Sequence, residues 1–255
     1  MLSEKERAKL NSALSPTRFT ARIKFKKTGD LQYISLLDLQ RTFNRIFKRA
    51  ELPMWYTKGF NPHMKLVFAT PLSIGSESIC EYLDVQVDGV ISCKEIKDKL
   101  NREVTDELAI LDVYVPETKF SDIAWSDYAF ELYIDGASDE LAGKIDELLS
   151  TSPLTMIKTG KAGDREIDII PLIKKKFVAY DEKKNMITMR VRLAASSEQF
   201  LNPEMLVTAM KTHLGILNGD PTKEYYTICR VALFDKSERE FREKKHRNFA
   251  VLFDF

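Results

Sequence analysis

The sequence is poor in cysteine, and this limits the chemistry that the chain can carry by itself. Its three cysteines, Cys80, Cys93 and Cys229, are widely separated and form no CxxC pair. An odd and scattered count is typical of reduced thiols in a cytosol and not of a disulfide framework. We therefore expect no iron–sulfur cluster and no zinc site built by this chain alone.

Catalytic signatures are lacking too. The three histidines, His63, His213 and His246, lie far apart and share no metal-ligand spacing. The sequence contains no glycine-rich phosphate loop and no HExxH or GxSxG motif. These absences favour a non-catalytic protein that holds no metal or cofactor of its own.

Long apolar runs are missing as well. No stretch approaches the roughly 20 apolar residues of a membrane helix. The first ten residues, MLSEKERAKL, lack the apolar core of a signal peptide. Hydrophobic residues nevertheless make up 44% of the 255 residues, which is ample for a core. The composition predicts a soluble, cytoplasmic protein of one large or two small domains.

The net charge of +1 conceals a strong segregation of charge along the chain. Residues 16–65 carry 11 Lys and Arg against 3 Asp and Glu, a net of +8. Residues 66–157 carry 6 against 19, a net of −13, and residues 158–192 carry 10 against 5, a net of +5. Such segregation indicates charged partners and not a fold. The alternative is a set of solvated faces whose fields cancel in three dimensions.

The hydrophobic periodicity of the first half indicates alternating strands and helices. Residues 18–25 alternate between apolar and mostly basic side chains, which predicts a strand with one buried and one basic face. Residues 35–50 have helical spacing, with Ser35 as the N-cap and Asp38 in the first turn. Strands over residues 65–69, 79–87 and 108–115 and a helix over 92–103 complete a βαββαβ order, which is typical of ferredoxin-like units.

The second half repeats this order less clearly, so we predict an α+β protein made of two tandem ferredoxin-like units. Its predicted strands and helices cover residues 128–134, 138–150, 154–158, 167–170, 176–180, 186–193, 203–214 and 225–234. The predicted parts of the chain are an N-terminal segment 1–16, a first domain 17–117, a second domain 124–234 and a tail 235–255. The tail is basic and then apolar, which favours a docked terminal helix and strand over a free partner-binding peptide.

Three dense segments stand apart within the first half. They are YISLLDLQR at residues 33–41, YTKGFNPH at 56–63 and PLSIGSES at 71–78, the last followed closely by Glu81 and Tyr82. In the second segment, Gly59 permits a backbone that other residues resist, and Asn61 is held extended by the proline that follows it. The segment therefore predicts a rigid loop.

Aromatic and basic residues are interleaved on and near this loop. Such a mixture is typical of single-stranded nucleic-acid binding, in which bases stack on rings and cations contact phosphates. The alternative is that Phe60 and Trp55 fill the core and the loop is only a rigid turn. The residues predicted to bind RNA are Arg18, Arg22, Lys24, Arg41, Arg45, Lys58, Phe60, Asn61 and His63.

Taken together, these segments resemble the bacterial family of radical SAM-linked proteins, a domain of unknown function. The resemblance covers residues 18–115 well and the rest weakly. Leu36 stands where the family usually has a histidine, so an activity that depended on that histidine would be in doubt. The matching motif residues are Ser35, Asp38, Gly59, Phe60, Asn61, Pro62, His63, Gly75, Ser78 and Glu81.

The resemblance implies a gene encoded beside, or fused to, one for a radical SAM protein. The iron–sulfur cluster and S-adenosylmethionine would then belong to that partner. The leading hypothesis is a non-catalytic RNA-binding or substrate-presenting accessory protein that acts with the radical SAM enzyme in tRNA or rRNA modification. An alternative is a protein-interaction scaffold whose acidic residues 77–147 dock a basic partner. A third is a metal-independent RNA endonuclease of the CRISPR-processing type that uses His63 with Lys58.

Overall fold

The computed structural model of the chain describes residues 18–158 and 163–241. By their internal contacts these residues divide into two compact units. The first unit comprises residues 18–25, Ser35–Ala69 and Glu81–Pro116. The second comprises Lys26–Ile34, Thr70–Cys80 and the described residues from 117 onward. The predicted segment 1–16 and the part of the predicted tail from residue 242 lie outside the described residues.

The first unit has the ferredoxin-like order of elements. Its strands and helices are β1 (Arg18–Lys27), α1 (Leu36–Arg49), β2 (Leu66–Phe68), β3 (Ser76–Asp88), α2 (Cys93–Asn101) and β4 (Ile110–Tyr114). The strands are arranged in the order β4-β1-β3-β2, with β4 antiparallel to β1 and β2 antiparallel to β3. A βαββαβ chain with this strand order is the split βαβ arrangement.

Packing between β1 and α1 builds the core of this unit. The Ser35 hydroxyl accepts the backbone N–H of Asp38 at 3.1 Å and so caps α1 at the predicted residue. The buried stripe of α1 includes Phe43, whose ring meets Phe25 of β1 edge-to-face at a centroid distance of 4.9 Å. Because successive side chains of a strand point to opposite faces, Ala21 faces the helix with Phe25, and the even-numbered residues of β1 face away from it.

The second unit repeats the arrangement with one insertion. Its elements are β5 (Ile123–Tyr133), α3 (Asp139–Leu148), β6 (Thr155–Lys158), β7 (Arg165–Asp168), β8 (Ile173–Asp181), β9 (Met186–Ala194), α4 (Glu204–Leu214) and β10 (Tyr225–Asp235). The strand order β10-β5-β9-β8 matches β4-β1-β3-β2 of the first unit. The hairpin of β6 and β7 is inserted between α3 and β8, and the first residues of β3 pair in parallel with β10. The predicted α+β fold of two ferredoxin-like units is therefore confirmed.

The two faces of the β10-β5-β9-β8 strands differ among the described residues: α3 and α4 pack on one face, whereas many side chains of the other face are partly exposed. Alternate side chains of the central strands, such as Phe130 and Leu132 of β5 and Met189 and Val191 of β9, are buried in a single core cluster together with residues of α3 and α4. The side chains between them face the opposite side. Within the described ranges, no helix has both the length and the apolar character needed to cross a membrane. Short 3-10 helices in the described part of the chain cover Gly29–Tyr33, Asp106–Leu108, Phe120–Asp122 and Ile170–Leu172.

Candidate nucleic-acid interface

The predicted loop is a hairpin-like projection of the first unit, closed by its own hydrogen bonds. Tyr56 and Met64 form an antiparallel bridge, and between them the backbone N–H of Thr57 donates to the carbonyl of His63 at 2.9 Å. The His63 N–H in turn donates to the Thr57 hydroxyl at 3.1 Å. We call residues 57–63 the 57–63 loop. These contacts between Thr57 and His63 hold its neck in one conformation.

The tip of the 57–63 loop is presented to solvent. Gly59 has a φ of +140°, and no atom lies within 4 Å of the position that a Cβ would occupy. Glycine is therefore required here for its backbone conformation and not for lack of space. The next residue, Phe60, is fully exposed at 111% of its reference surface. The alternative in which Phe60 fills the core is therefore wrong. Its neighbours Lys58, Asn61, Pro62 and His63 are exposed as well.

The imidazole of His63 is oriented by two oxygen atoms of the same loop. Its Nδ1 lies 3.1 Å from the Thr57 hydroxyl and 3.1 Å from the carbonyl oxygen of Asn61. A carbonyl oxygen can only accept, so the ring proton is assigned to Nδ1 and Nε2 is left as the acceptor nitrogen. The loop thus presents the ring of Phe60, the ammonium group of Lys58 and the acceptor nitrogen of His63 within a few residues of one another.

The stem of the loop is anchored to β3 beside a second aromatic residue. Met64 is buried, and the backbone N–H of Trp55 donates to the carbonyl of Gln86 at 3.0 Å. The guanidinium of Arg18 lies 4.7 Å from the centroid of the Trp55 ring, which is the geometry of a cation–π contact. Of the predicted basic residues of β1, Arg18 is the one that the fold brings to the stem of the loop.

The prediction that the basic residues of β1 are exposed to bind RNA is wrong for Arg22. This side chain is 1% exposed, and its guanidinium binds the Asp84 carboxylate through two hydrogen bonds of 2.7 and 2.8 Å. The alternation was assigned correctly, but a neighbouring strand supplies a carboxylate on the same face. Arg22 is a buried structural cation. Lys24, two residues on, is half-buried with its ammonium 5.7 Å from the Tyr82 ring centroid.

Arg41 and Arg45 do not join the same surface as Arg18. Both are exposed on α1, which packs on the sheet face occupied by Phe25. Arg18 lies on the other face of the sheet because it differs from Phe25 by an odd number of positions. The predicted RNA-binding set is therefore divided between two sides of the first unit. The loop and Arg18 form the more coherent group.

Some motif residues form caps and turns. The Ser35 hydroxyl donates to the Asp38 carboxylate at 2.7 Å, and Arg41 donates to the same carboxylate at 3.0 Å. The hydrogen bond from Ser35, followed by the one from Arg41, lowers the pKa of Asp38 below its ordinary value. Gly75 has a φ of +86° in a turn, which favours glycine. Ser78 and Glu81 are buried.

Two residues outside the predicted set hold the 71–78 turn within the second unit. Glu77 accepts the backbone N–H of Gly29 at 2.7 Å. Arg230 is fully buried, and it donates to the Tyr128 hydroxyl at 3.0 Å, to the Thr70 hydroxyl at 2.9 Å and to the carbonyl of Pro71. An arginine inside the apolar run of β10 was the signal that could have revealed this role.

Metal binding has no candidate in the described part of the chain. Within residues 18–158 and 163–241, no group of three or more His, Cys, Asp or Glu side chains is arranged to hold an ion. The sulfur atoms of Cys80 and Cys229 each lie 3.7 Å from the carbonyl oxygen of Arg230, to which they donate.

Solved structures that are similar to the chain share little sequence with it. A Cbf5-Nop10-Gar1 complex matches at 11% identity with a TM-score of 0.43, over 84% of this chain and 48% of that one. The chain thus spans about half the length of that protein. An unknown protein from Galdieria sulphuraria matches at 10% identity with a TM-score of 0.26, over 84% of this chain and 99% of that one. At these TM-scores the likenesses carry no argument. No curated protein matches the chain.

The family of the chain follows from its sequence. A family model described as an uncharacterized protein conserved in bacteria, DUF2344, matches residues 20–203. The matched region contains the 57–63 loop and well over half of the 255 residues. The chain therefore belongs to this family of bacterial proteins.

Proposed function

We propose that the protein binds single-stranded RNA through the 57–63 loop and acts as a non-catalytic, substrate-presenting accessory of a radical SAM enzyme in tRNA or rRNA modification. The observation that carries the RNA-binding part is the fully exposed ring of Phe60 on a loop whose neck is fixed by hydrogen bonds. Burying a phenylalanine side chain is worth about 1.5–3 kcal/mol. Phe60 forgoes that gain in the protein alone, and a stacked base would recover part of it.

Preorganisation supports the same reading. A flexible loop would lose conformational entropy on binding, and this loss would offset much of the stacking energy. The bridge between Tyr56 and Met64 and the contacts between Thr57 and His63 restrict the loop before any ligand arrives. The ring of Phe60 is therefore held in position at little further cost.

Charged and polar neighbours complete the ligand set. Lys58 is exposed beside Phe60, and Arg18 lies over Trp55 at the stem. Ammonium and guanidinium groups contact phosphates, and this contribution weakens with salt because counterions are released on binding. Asn61 and the Nε2 atom of His63 can contact base edges or a 2′-hydroxyl.

The radical SAM partner is proposed from the resemblance of the motif segments to radical SAM-linked proteins. In this proposal the partner holds the iron–sulfur cluster and S-adenosylmethionine, and this chain presents the RNA. Purification of the tagged protein from its host under anaerobic conditions is expected to recover both the enzyme and RNA. Recovery of a basic protein without RNA would instead favour docking on the acidic residues 77–147.

The loop is tested by the affinity of the purified protein for a short single-stranded RNA, measured by fluorescence anisotropy. Phe60→Ala is expected to weaken binding by about 1–3 kcal/mol, whereas Phe60→Trp retains it. Because Phe60 makes no buried contact, the melting temperature should not change. Val90→Ala is the matched control, since Val90 is 94% exposed in the same unit. Equal affinities of wild type and Phe60→Ala would refute the loop proposal.

A further inference from the structure

The face of the β10-β5-β9-β8 strands that lies opposite α3 and α4 carries a regular set of side chains. Strand register places Tyr225 beside Tyr133 in one cross-strand row. A second row lies four residues away along β5, and it joins Ala129, Arg190 and Phe177. Cross-strand partners share a face, so these rows lie on the side opposite α3 and α4. At about 3.3 Å per residue, the rows are roughly 13 Å apart.

Each row ends in an exposed aromatic ring. Tyr225 is 46% exposed and stacks on Tyr133, with ring centroids 4.4 Å apart and an interplanar angle of 15°. Phe177 is 50% exposed on β8, directly opposite Arg190. Aromatic side chains contribute strongly to stability when they are buried. Two exposed rings at opposite ends of one sheet face are therefore available to stack a ligand.

The row between the two aromatic ends is made of smaller side chains. It consists of Thr227, Glu131, Thr188 and Ala179, in strand order. Glu131 is held at one side because it accepts a hydrogen bond from the Tyr133 hydroxyl at 3.2 Å. The face is thus a shallow platform with hydroxyl groups and one carboxylate in its centre. A carboxylate accepts hydrogen bonds from the exocyclic amines of bases.

Positive charge is in excess next to the Phe177 row. Lys174 and Lys175 lie 3.6 and 3.2 Å from a single carboxylate, that of Glu238. Arg192 lies between the same Glu238 and Asp127, at 3.0 and 2.6 Å. Three cations therefore share two carboxylates, and Arg190 lies one row away on the same face. This excess complements an anionic backbone.

We propose that this sheet face, defined by Tyr133, Tyr225, Phe177, Arg190 and Lys175, is a second binding platform for single-stranded RNA. Two or three bases stack on the rings, and the phosphates run toward the basic row. The proposal rests on the proposed function in taking RNA as the ligand. It adds a site on a different unit, built on strands and not on a loop.

The test uses an RNA of about ten nucleotides, with anisotropy as the readout. Phe177→Ala and Tyr225→Ala are each expected to raise the Kd about five- to 150-fold. Thr227→Glu places a negative charge in the central row and should raise the Kd by at least about fivefold, and it should raise it more than Thr227→Gln, which adds a similar volume without the charge. Ile157→Ala is a control for loss of an exposed apolar group, since Ile157 is 65% exposed in the same unit.

A second measurement does not depend on variants that fold. RNA containing 4-thiouridine is photo-crosslinked to the wild-type protein, and the modified peptides are identified by mass spectrometry. Adducts on β8, β9 or β10 support the platform. Adducts confined to the 57–63 loop overturn it.

The outcomes separate this platform from the loop. If Phe60→Ala weakens binding but the platform variants do not, the platform is refuted and the loop stands. If the platform variants weaken binding and Phe60→Ala does not, the loop is refuted. If the wild-type protein binds no RNA, both are refuted. A change of oligomeric state in Thr227→Glu with unchanged RNA affinity would identify the face as a contact between copies of the chain and would overturn the platform.

Discussion

The 57–63 loop and the 71–78 turn come from the same block of motif segments, yet the fold uses them in opposite ways. In the turn, Ser76 and Ser78 are fully buried, and the Gly75 N–H donates to the carbonyl of Gln32 at 3.0 Å. In the loop, hydrogen bonds link Thr57 to His63 at the neck, and the Phe60 ring extends into solvent. A shared motif block therefore combines residues that build the fold with residues that the fold leaves available for a ligand.

The largest effect should come from the buried arginine that holds the turn. Arg230→Ala is expected to lower the free energy of unfolding by about 4 kcal/mol, because it leaves a cavity and removes the donor to Thr70 and Pro71. Arg230→Met refills most of the volume without the donors and should recover part of the loss. Urea denaturation measures both. Arg165→Ala, at an exposed position of β7, is the control and should be nearly neutral.

A loss below about 1 kcal/mol in Arg230→Ala would show that the turn does not depend on this anchor. The contrast between turn and loop would then lose its physical basis. RNA affinity of the folded protein should be unchanged in either variant, since Arg230 is not exposed.

The next effect concerns the Glu77 carboxylate, which links the 71–78 turn to the backbone at Gly29. Glu77→Ala removes the acceptor of the Gly29 N–H and should cost about 1.5–3 kcal/mol, the usual range for a hydrogen bond to a charged group. Glu77→Gln keeps an acceptor and should cost less. Both are measured by denaturation, with RNA affinity as the second readout. Weaker RNA binding without a loss of stability would show that Glu77 contributes to RNA binding and not to the stability of the fold.

Much of the fold could be predicted because its local signals agree with one another. Alternation in β1, the Ser35 cap of α1 and the apolar stripe containing Phe43 each indicated the element that forms. Two βαββαβ orders then restrict the sheet to few strand orders. The pairing of the first residues of β3 with β10 was not predictable. It joins residues some 150 positions apart, and no local pattern indicates such a contact.

The candidate site was only partly predictable. The sequence indicated a rigid loop, because Gly59 permits an unusual backbone conformation and Pro62 holds Asn61 extended, but it left open whether Phe60 is exposed and could not distinguish Arg18 from Arg22. Arg22 is faced by Asp84 of a neighbouring strand, whereas Arg18 lies over the Trp55 ring. The aromatic rows on the β10-β5-β9-β8 strands were also missed. Tyr133 and Tyr225 lie on strands far apart in sequence, and their stacking depends on the register of β5 with β10.

A smaller effect should separate backbone strain from ligand contact. Gly59→Ala forces a φ of +140° on a residue with a Cβ and should cost about 1–2 kcal/mol. It should also weaken RNA binding, because the tip with Phe60 is displaced. Gly136→Ala is a matched control, since Gly136 has a φ of +76° and equally open surroundings in the second unit. It should lower stability and leave affinity unchanged. Equal affinity in both variants would mean that the loop conformation does not matter for RNA.

The smallest effect should come from Asp38, an exposed motif residue that is used by the fold. The hydrogen bond from Ser35, then that from Arg41, lowers the pKa of Asp38 below its ordinary value of 3.8. A carboxyl whose pKa is lower in the folded state stabilises it above the unfolded pKa, and this contribution is lost as the pH falls through the folded value. The stability difference between wild type and Asp38→Asn should therefore be constant near neutral pH and shrink below about pH 4. Denaturation at several pH values measures this difference in stability, and a pH-independent difference would rule out the carboxylate as its source.

The Asp38→Asn substitution should leave RNA affinity unchanged at every pH, because the Asp38 carboxylate is occupied by its hydrogen bonds with Ser35 and Arg41. Exposure alone would then not identify a functional motif residue, whereas exposure without a structural partner, as at Phe60, would.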